Sequence, residues 1–143
     1  MIKTAFLHLD VHTEYSLGDS IVRVKELVET AKSMSMPAVA MTDLSNLYGG
    51  IKFIRACIDH GVKPLLGVDV EVIENNGMPQ GRLILLCRNN AGYQHVCELL
   101  TNAYTLDADS ATVTIEFSEL SKGCGDLIAI SPSIDGAIGK LIC

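Results

Sequence analysis

The chain has 143 residues, 48% of them apolar and 20% charged, with a formal net charge of −6. That mix can bury a core and suits one domain or a large piece of one. The eleven basic residues are scattered, which argues against a surface that holds a phosphate backbone. No apolar run approaches the roughly 18 residues a membrane span needs. Ala5-Phe6-Leu7 is broken at once by His8, with Lys3 alone before it, so no signal peptide is expected. The five cysteines (Cys57, Cys87, Cys97, Cys124, Cys143) are odd in number and form no Cys-x-x-Cys pair. They read as small hydrophobes in a reducing cytoplasm rather than as a disulfide framework.

In chain order, Thr4 to Val11 alternates as a strand, with Ala5, Leu7, Leu9 and Val11 on one face and Phe6, His8, Asp10 and His12 on the other. Val24, Leu27, Val28, Ala31 and Met34 then recur at helical spacing, with Asp19 or Ser20 as the expected N-cap and Pro37 helping to end the helix. Ala38 to Met41 reads as a buried strand. Leu47, Ile51, Ile54 and Ile58 predict a second amphipathic helix, stopped by Gly61. A strand from about Leu65 to Ile73 leads to a turn through Asn75-Asn76-Gly77-Met78-Pro79 and a strand from Arg82 to Cys87. Asn89-Asn90 is placed to cap a third helix with Val96, Leu99, Leu100 and Ala103 inward. Thr105 to Thr112 reads as loop, Glu116 to Leu120 as a short helix, Leu127 to Ile130 as a strand, and Ala137 to Ile142 as the start of another helix.

Strands alternating with helices predict an α/β architecture with a parallel sheet, as a barrel or an open sheet. A complete (β/α) barrel takes about 250 residues. The chain is therefore expected to be incomplete.

One constellation could carry chemistry. His8, Asp10 and His12 at i, i+2 and i+4 leave one face of a strand about 6.5–7 Å apart from one to the next. Asp43 follows the strand Ala38 to Met41, and Asp69 lies in the next strand, so carboxylates at strand ends could share a pocket. Taken alone, the triplet fits a metal site and fits equally a pair of hydrogen-bonded histidines steadied by Asp10.

Longer motifs break this tie. His8-Leu9-Asp10-Val11-His12-Thr13-Glu14-Tyr15-Ser16-Leu17-Gly18-Asp19 resembles the first motif of the PHP domains that open bacterial DNA polymerase III alpha subunits. Met41-Thr42-Asp43-Leu44-Ser45-Asn46-Leu47-Tyr48-Gly49 is similar to their second motif, and Gly61-Val62-Lys63-Pro64-Leu65-Leu66-Gly67-Val68-Asp69 to the strand that follows. Asn89-Asn90-Ala91-Gly92-Tyr93-Gln94 is similar to the next helix start. The resemblance implies a distorted (β/α) barrel of seven strands, with residues 1–143 as its N-terminal portion, ending before the barrel closes. Active members hold up to three metal ions for phosphoester hydrolysis.

Carried over position by position, that site is depleted. Of the two histidine ligands of the first motif, the first position is Asp10 and the second is His12; Asp19 matches a ligand position further along. The second motif ends in Asp-His in the family, and here Leu44 follows Asp43. A glutamate position in the next strand is Asp69, and a further histidine position is Arg82. Leucine has no donor atom, and arginine repels a cation while pairing with carboxylates. The resemblance thus implies a vestigial cluster of Asp10, His12, Asp19 and Asp69, no catalytic residue, and no cofactor beyond a residual divalent ion.

The implied parent resembles a DNA-directed DNA polymerase, a nucleotidyltransferase of the cytoplasm acting in DNA replication. This portion is expected to be a structural and interaction module, its partners the rest of the alpha chain and the separate proofreading exonuclease subunit. The alternatives are a metal-dependent phosphoesterase or pyrophosphatase working from the surviving donors, and direct DNA contact, which the acidic charge disfavours. The other conspicuous residues have structural readings. The four tyrosines fit element ends, and Gly49-Gly50 fits a turn or helix entry. Cys57 is expected to be packed, His60 to favour a helix C-terminus, and Arg23 and Lys25 to face solvent.

Overall fold

The computed structural model describes residues 6–74, 79–106, 113–132 and 136. The chain forms two compact units, Met1–Gly67 and Val68–Cys143. In the first unit, helix α1 (Val24–Ser33), strand β1 (Ala38–Met41) and helix α2 (Gly50–His60) precede strand β2 (Lys63–Ile73), whose first half belongs to this unit and second half to the other. β1 and β2 pair in parallel, with Ala38 opposite Lys63 and Met41 opposite Leu66. Every residue of β1 is buried. The core gathers Val24, Val28 and Ala31 of α1, Met36, Val39 and Met41, Phe53 and Cys57 of α2, and Val62.

Four expectations about this unit change. The predicted first strand is an extended segment tied to β1 by Ala40 N–H to His8 O and Thr42 N–H to Val11 O, both 2.9 Å, without a regular ladder. Residues 4 and 5 lie outside the described part. α1 starts at Val24 behind Arg23 with no side-chain cap. The expected caps are engaged elsewhere: Ser20 Oγ donates to the His12 carbonyl, and Asp19 reaches the His12 ring.

Met34 is exposed because α1 ends before it. Ser35 takes φ 57°, its N–H reaches Lys32 O and Met36 N–H reaches Ala31 O, so Met36 enters the core in place of Met34. In α2 the buried face is Gly50, Phe53 and Cys57, while Ile51 and Ile58 face solvent. The aromatic at position 53 outweighs the aliphatic spacing, since it removes more apolar surface from water. α2 stops as expected, at Gly61 with φ 70°.

In the second unit, the end of β2 is followed by β3 (Pro79–Cys87), α3 (Asn90–Leu106), β4 (Thr114–Glu116), α4 (Phe117–Ser121), a short 3-10 turn (Cys124–Asp126) and β5 (Leu127–Ile130). The sheet runs β2-β3-β5, with β4 on β2. β4 is parallel to β2, with Val72 opposite Ile115, whereas β5 is antiparallel to β3, with Leu85 opposite Ala129.

The sheet is mixed, which corrects the expected all-parallel arrangement. β3 begins at Pro79, only a few residues after β2 ends at Ile73, and a connection that short cannot make a parallel crossover. The turn over residues 75–78 lies outside the described part, as does the helix expected over 137–142. Asn89 caps α3 by accepting Gly92 N–H at 3.0 Å, and Val96, Leu99 and Leu100 are buried as predicted. β4 was not foreseen; its Ile115 is buried.

Candidate metal centre

The end of β1 organises the first unit's polar side chains. Asp43 is fully buried, and its carboxylate accepts Thr13 N–H at 2.5 Å, Thr13 Oγ1–H at 2.7 Å and Ser16 Oγ–H at 2.8 Å. A carboxylate in low dielectric persists only with such donors. Ser16 Oγ also accepts Leu44 N–H at 3.0 Å, and Asn46 Nδ2 donates to the carbonyls of Tyr15 and Leu44. Asp43, which the spacing placed among carboxylates at strand ends, thus fastens the Thr13–Ser16 loop. Thr13, Ser16 and Thr42 went unnoticed in the sequence; hydroxyls beside a buried strand end were the available signal.

His12 stands between two carboxylates. Its Nδ1 meets Asp19 Oδ2, and its Nε2 lies 3.8 Å from Asp10 Oδ1. Asp10 in turn accepts Thr42 Oγ1–H at 3.0 Å. The His12 side chain is 14% exposed, against 50% for Asp10 and 47% for Asp19. An imidazole with one nitrogen held by a carboxylate has its ring orientation fixed, which is how ligating histidines are positioned. His8 is exposed and packs edge-on to Phe6 at 4.8 Å between ring centres. The side chain of Leu44, 39% exposed, offers no donor.

In the second unit, Asp69 of β2 is 1% exposed, and Arg82 of β3 meets it with Nε at 3.2 Å and with Nη2 on the other oxygen. The planar guanidinium fork matches a carboxylate edge and neutralises it. The arginine that the sequence comparison placed at a histidine ligand position therefore occupies the acidic group of the neighbouring position.

The donor set does not fit a centre of two or three ions. Asp43 is saturated by hydroxyl and amide donors, Asp69 carries an arginine, and Leu44 supplies nothing. Among the described residues, no buried side-chain nitrogen or oxygen lacks a hydrogen-bond partner. Asp19 sits on His12 Nδ1, the ring nitrogen opposite the Nε2 that faces Asp10, so in this unit Asp10 and His12 are left to share at most one ion. No hydrolytic step follows from this arrangement.

The fold, the motifs and the altered donors together define the class. The PHP domain profile matches residues 8–143, and the chain belongs to the PHP domain family. Its relatives are polymerase subunits. It is 37% identical over 140 residues to the DNA polymerase III subunit alpha of Pseudomonas aeruginosa, covering 96% of this chain and 12% of that protein. It is 38% identical over 149 residues to the same subunit of Buchnera aphidicola subsp. Acyrthosiphon pisum, covering 99% of this chain and again 12% of the relative. The chain thus spans about an eighth of the length of these relatives.

Among solved structures, it is similar to a Bifidobacterium adolescentis protein assigned as a metal-dependent phosphoesterase. The TM-score is 0.54 at 19% identity, over 72% of this chain and 34% of that one. An amidohydrolase from Chromobacterium violaceum gives a TM-score of 0.51 at 18% identity, over 76% and 40%. At these identities the structural likeness establishes a shared fold. No helix among the described residues is long and apolar enough to cross a membrane.

Proposed function

We propose that residues 1–143 are the N-terminal portion of the PHP domain of a replicative DNA polymerase III alpha subunit. In this reading the portion acts in the cytoplasm as a structural and interaction module that docks the proofreading exonuclease subunit. The domain is a distorted seven-stranded barrel completed by the rest of the alpha chain, and nucleotidyl transfer resides elsewhere in that chain. The observation that carries the non-catalytic reading is the Arg82 fork on buried Asp69, a protein cation at the position where the family holds metal. With Leu44 in place of a ligand, the means to activate water and to stabilise phosphate charge are gone.

The test has two parts. The purified alpha chain, incubated with Mn²⁺ or Zn²⁺ and desalted, is expected to retain less than one equivalent of metal at this site and to leave phosphoester substrates intact. The alpha chain should also retain the exonuclease subunit on an affinity column, and an intact PHP domain that fails to do so refutes the docking role. A phosphoesterase or pyrophosphatase with a single residual ion is the second reading. It is favoured by the His12 imidazole steadied between Asp10 and Asp19. Metal-dependent hydrolysis abolished by His12→Ala would establish it. Asp10, His12, Asp19 and Asp69 are in either case the remnant of the family's metal cluster.

A further inference from the structure

In the second unit, α3, the end of β2, β4 and α4 enclose a cleft of about 530 Å³. That size falls within the roughly 300–1,000 Å³ of small-molecule sites. Leu99, Asn102 and Ala103 leave one face of α3 at i, i+3 and i+4, and Ile73 of β2 lies opposite Glu116 of β4. The floor is apolar, made of Ile73, Leu99, Ala103 and Ile115, with Leu99 4% and Ile115 3% exposed. Among the described residues that line the cleft there is no aromatic ring and no basic side chain.

The polar groups above this floor are mostly acceptors, and two carry charge. Glu116 Oε2 accepts Ser118 Oγ–H at 3.2 Å, and Glu119 Oε1 accepts Lys122 Nζ–H at 2.5 Å. The other oxygen of each carboxylate meets no donor among the described residues, and the Asn102 amide and Thr114 hydroxyl are likewise uncommitted there. Thr105 directs its hydroxyl proton to Thr101 O at 2.8 Å, so its oxygen can still accept. Two carboxylates repel an anion, and a bare divalent ion gains nothing from a hydrocarbon floor. The complement is a pair of ammonium groups joined by methylenes: each ammonium brings three donors, and the chain between them covers apolar surface. Lys122 is an internal competitor for Glu119, but at 65% and 44% exposed that pair is readily given up.

We propose that this cleft binds an aliphatic diamine of the polyamine class, its ammonium groups held by Glu116 and Glu119 and its methylene chain lying on Ile73, Leu99, Ala103 and Ile115. Asn102, Thr105 and Thr114 supply neutral acceptors at the rim. The site shares no residue with Asp10, His12, Asp19, Asp43 or Asp69, so it stands or falls apart from the metal centre and the docking role.

The experiment titrates 1,4-diaminobutane into the full alpha chain by calorimetry at low salt. Saturable binding is expected, at least about tenfold tighter than that of n-butylamine, which offers one ammonium and stands for a lysine side chain of a protein partner. Glu116→Gln/Glu119→Gln should weaken it at least about tenfold, the effect of losing a hydrogen bond to a charged group. Glu26→Gln/Glu98→Gln removes the same net charge from exposed positions off the cleft and should leave affinity within about twofold. Lys122→Gln should tighten binding about two- to fivefold by freeing Glu119, whereas Lys25→Gln, which opens an exposed pair with Glu29, should not. No binding at millimolar diamine overturns the proposal, as does n-butylamine binding equally well or the charge-matched pair weakening binding as much as the cleft pair. If Glu116→Gln/Glu119→Gln lowers the melting temperature, the Lys122→Gln arm decides alone, and unchanged or weaker binding there overturns the site.

Discussion

Replacing Arg82 by methionine keeps most of the side chain's length and deletes its charge, leaving the Asp69 carboxylate 1% exposed without its fork. Breaking a buried pair by removing one partner costs about 3–5 kcal/mol, because the remaining charge stays desolvated. The Arg82 side chain is 34% exposed, so water reaches the vacated side and the expected loss is about 2–4 kcal/mol. For a chain of this size that corresponds to a melting temperature lower by roughly 6–12 °C.

The chain contains no tryptophan, so urea unfolding is best followed by far-ultraviolet circular dichroism. Asp69→Asn combined with Arg82→Met should recover at least half of the loss, since a neutral amide tolerates the site without a cation. An Arg82→Met chain within about 0.5 kcal/mol of the unmodified one would refute the reasoning, as would a double variant whose loss equals the sum of the two single losses.

Asp43→Asn leaves one acceptor oxygen for three donors and turns an amide N–H₂ toward them; a loss of about 2–3 kcal/mol is expected, with faster hydrogen exchange at Ser16, Asp19 and Ser20. Unchanged exchange there would show that the loop is held by other means. Ser35→Gly relieves a left-handed residue at φ 57° and should raise stability by about 0.5–1 kcal/mol in the same urea assay; no gain would mean that the serine is not strained.

Burial pushes the Cys57 thiol up to about 11 and the Cys87 thiol likewise, from an ordinary value of 9.0. The fold favours the neutral thiol, so this contribution is intact below pH 9 and is lost as pH rises toward 11. A thiol reagent at pH 8 should modify exposed Cys124 well before buried Cys57, which follows only on unfolding. Cys57→Ala should flatten the fall in melting temperature between pH 9 and 11, and an equal fall in both chains would contradict the assignment.

Helix and strand positions were legible wherever local chemistry decides them. The Asn89 cap, the Gly61 stop and the Val96-Leu99-Leu100 stripe all rest on neighbours in sequence. What the pattern misplaced depends on distant partners. Ile51 and Ile58 have the right spacing for an inner face, yet Phe53 and Cys57 take it because the α1 side offers Val24 and Val28 to pack against. Asp19 and Ser20 have the chemistry of a helix cap but serve His12 instead.

The site was legible as a list of residue types. Spacing gave no warning that Asp43 would turn inward to two hydroxyl side chains, since no rule of local sequence links position 43 to positions 13 and 16. The pairing of Arg82 with a carboxylate was foreseeable from charge alone; the choice of Asp69 was not.

The arginine on Asp69 also bears on how such a domain can change over generations. Neither member can be exchanged first without harm: losing the guanidinium strands a carboxylate inside the protein, and losing the carboxylate strands a guanidinium that was folded around it. Opening this carboxylate to an ion would therefore take two coordinated substitutions, through a less stable intermediate.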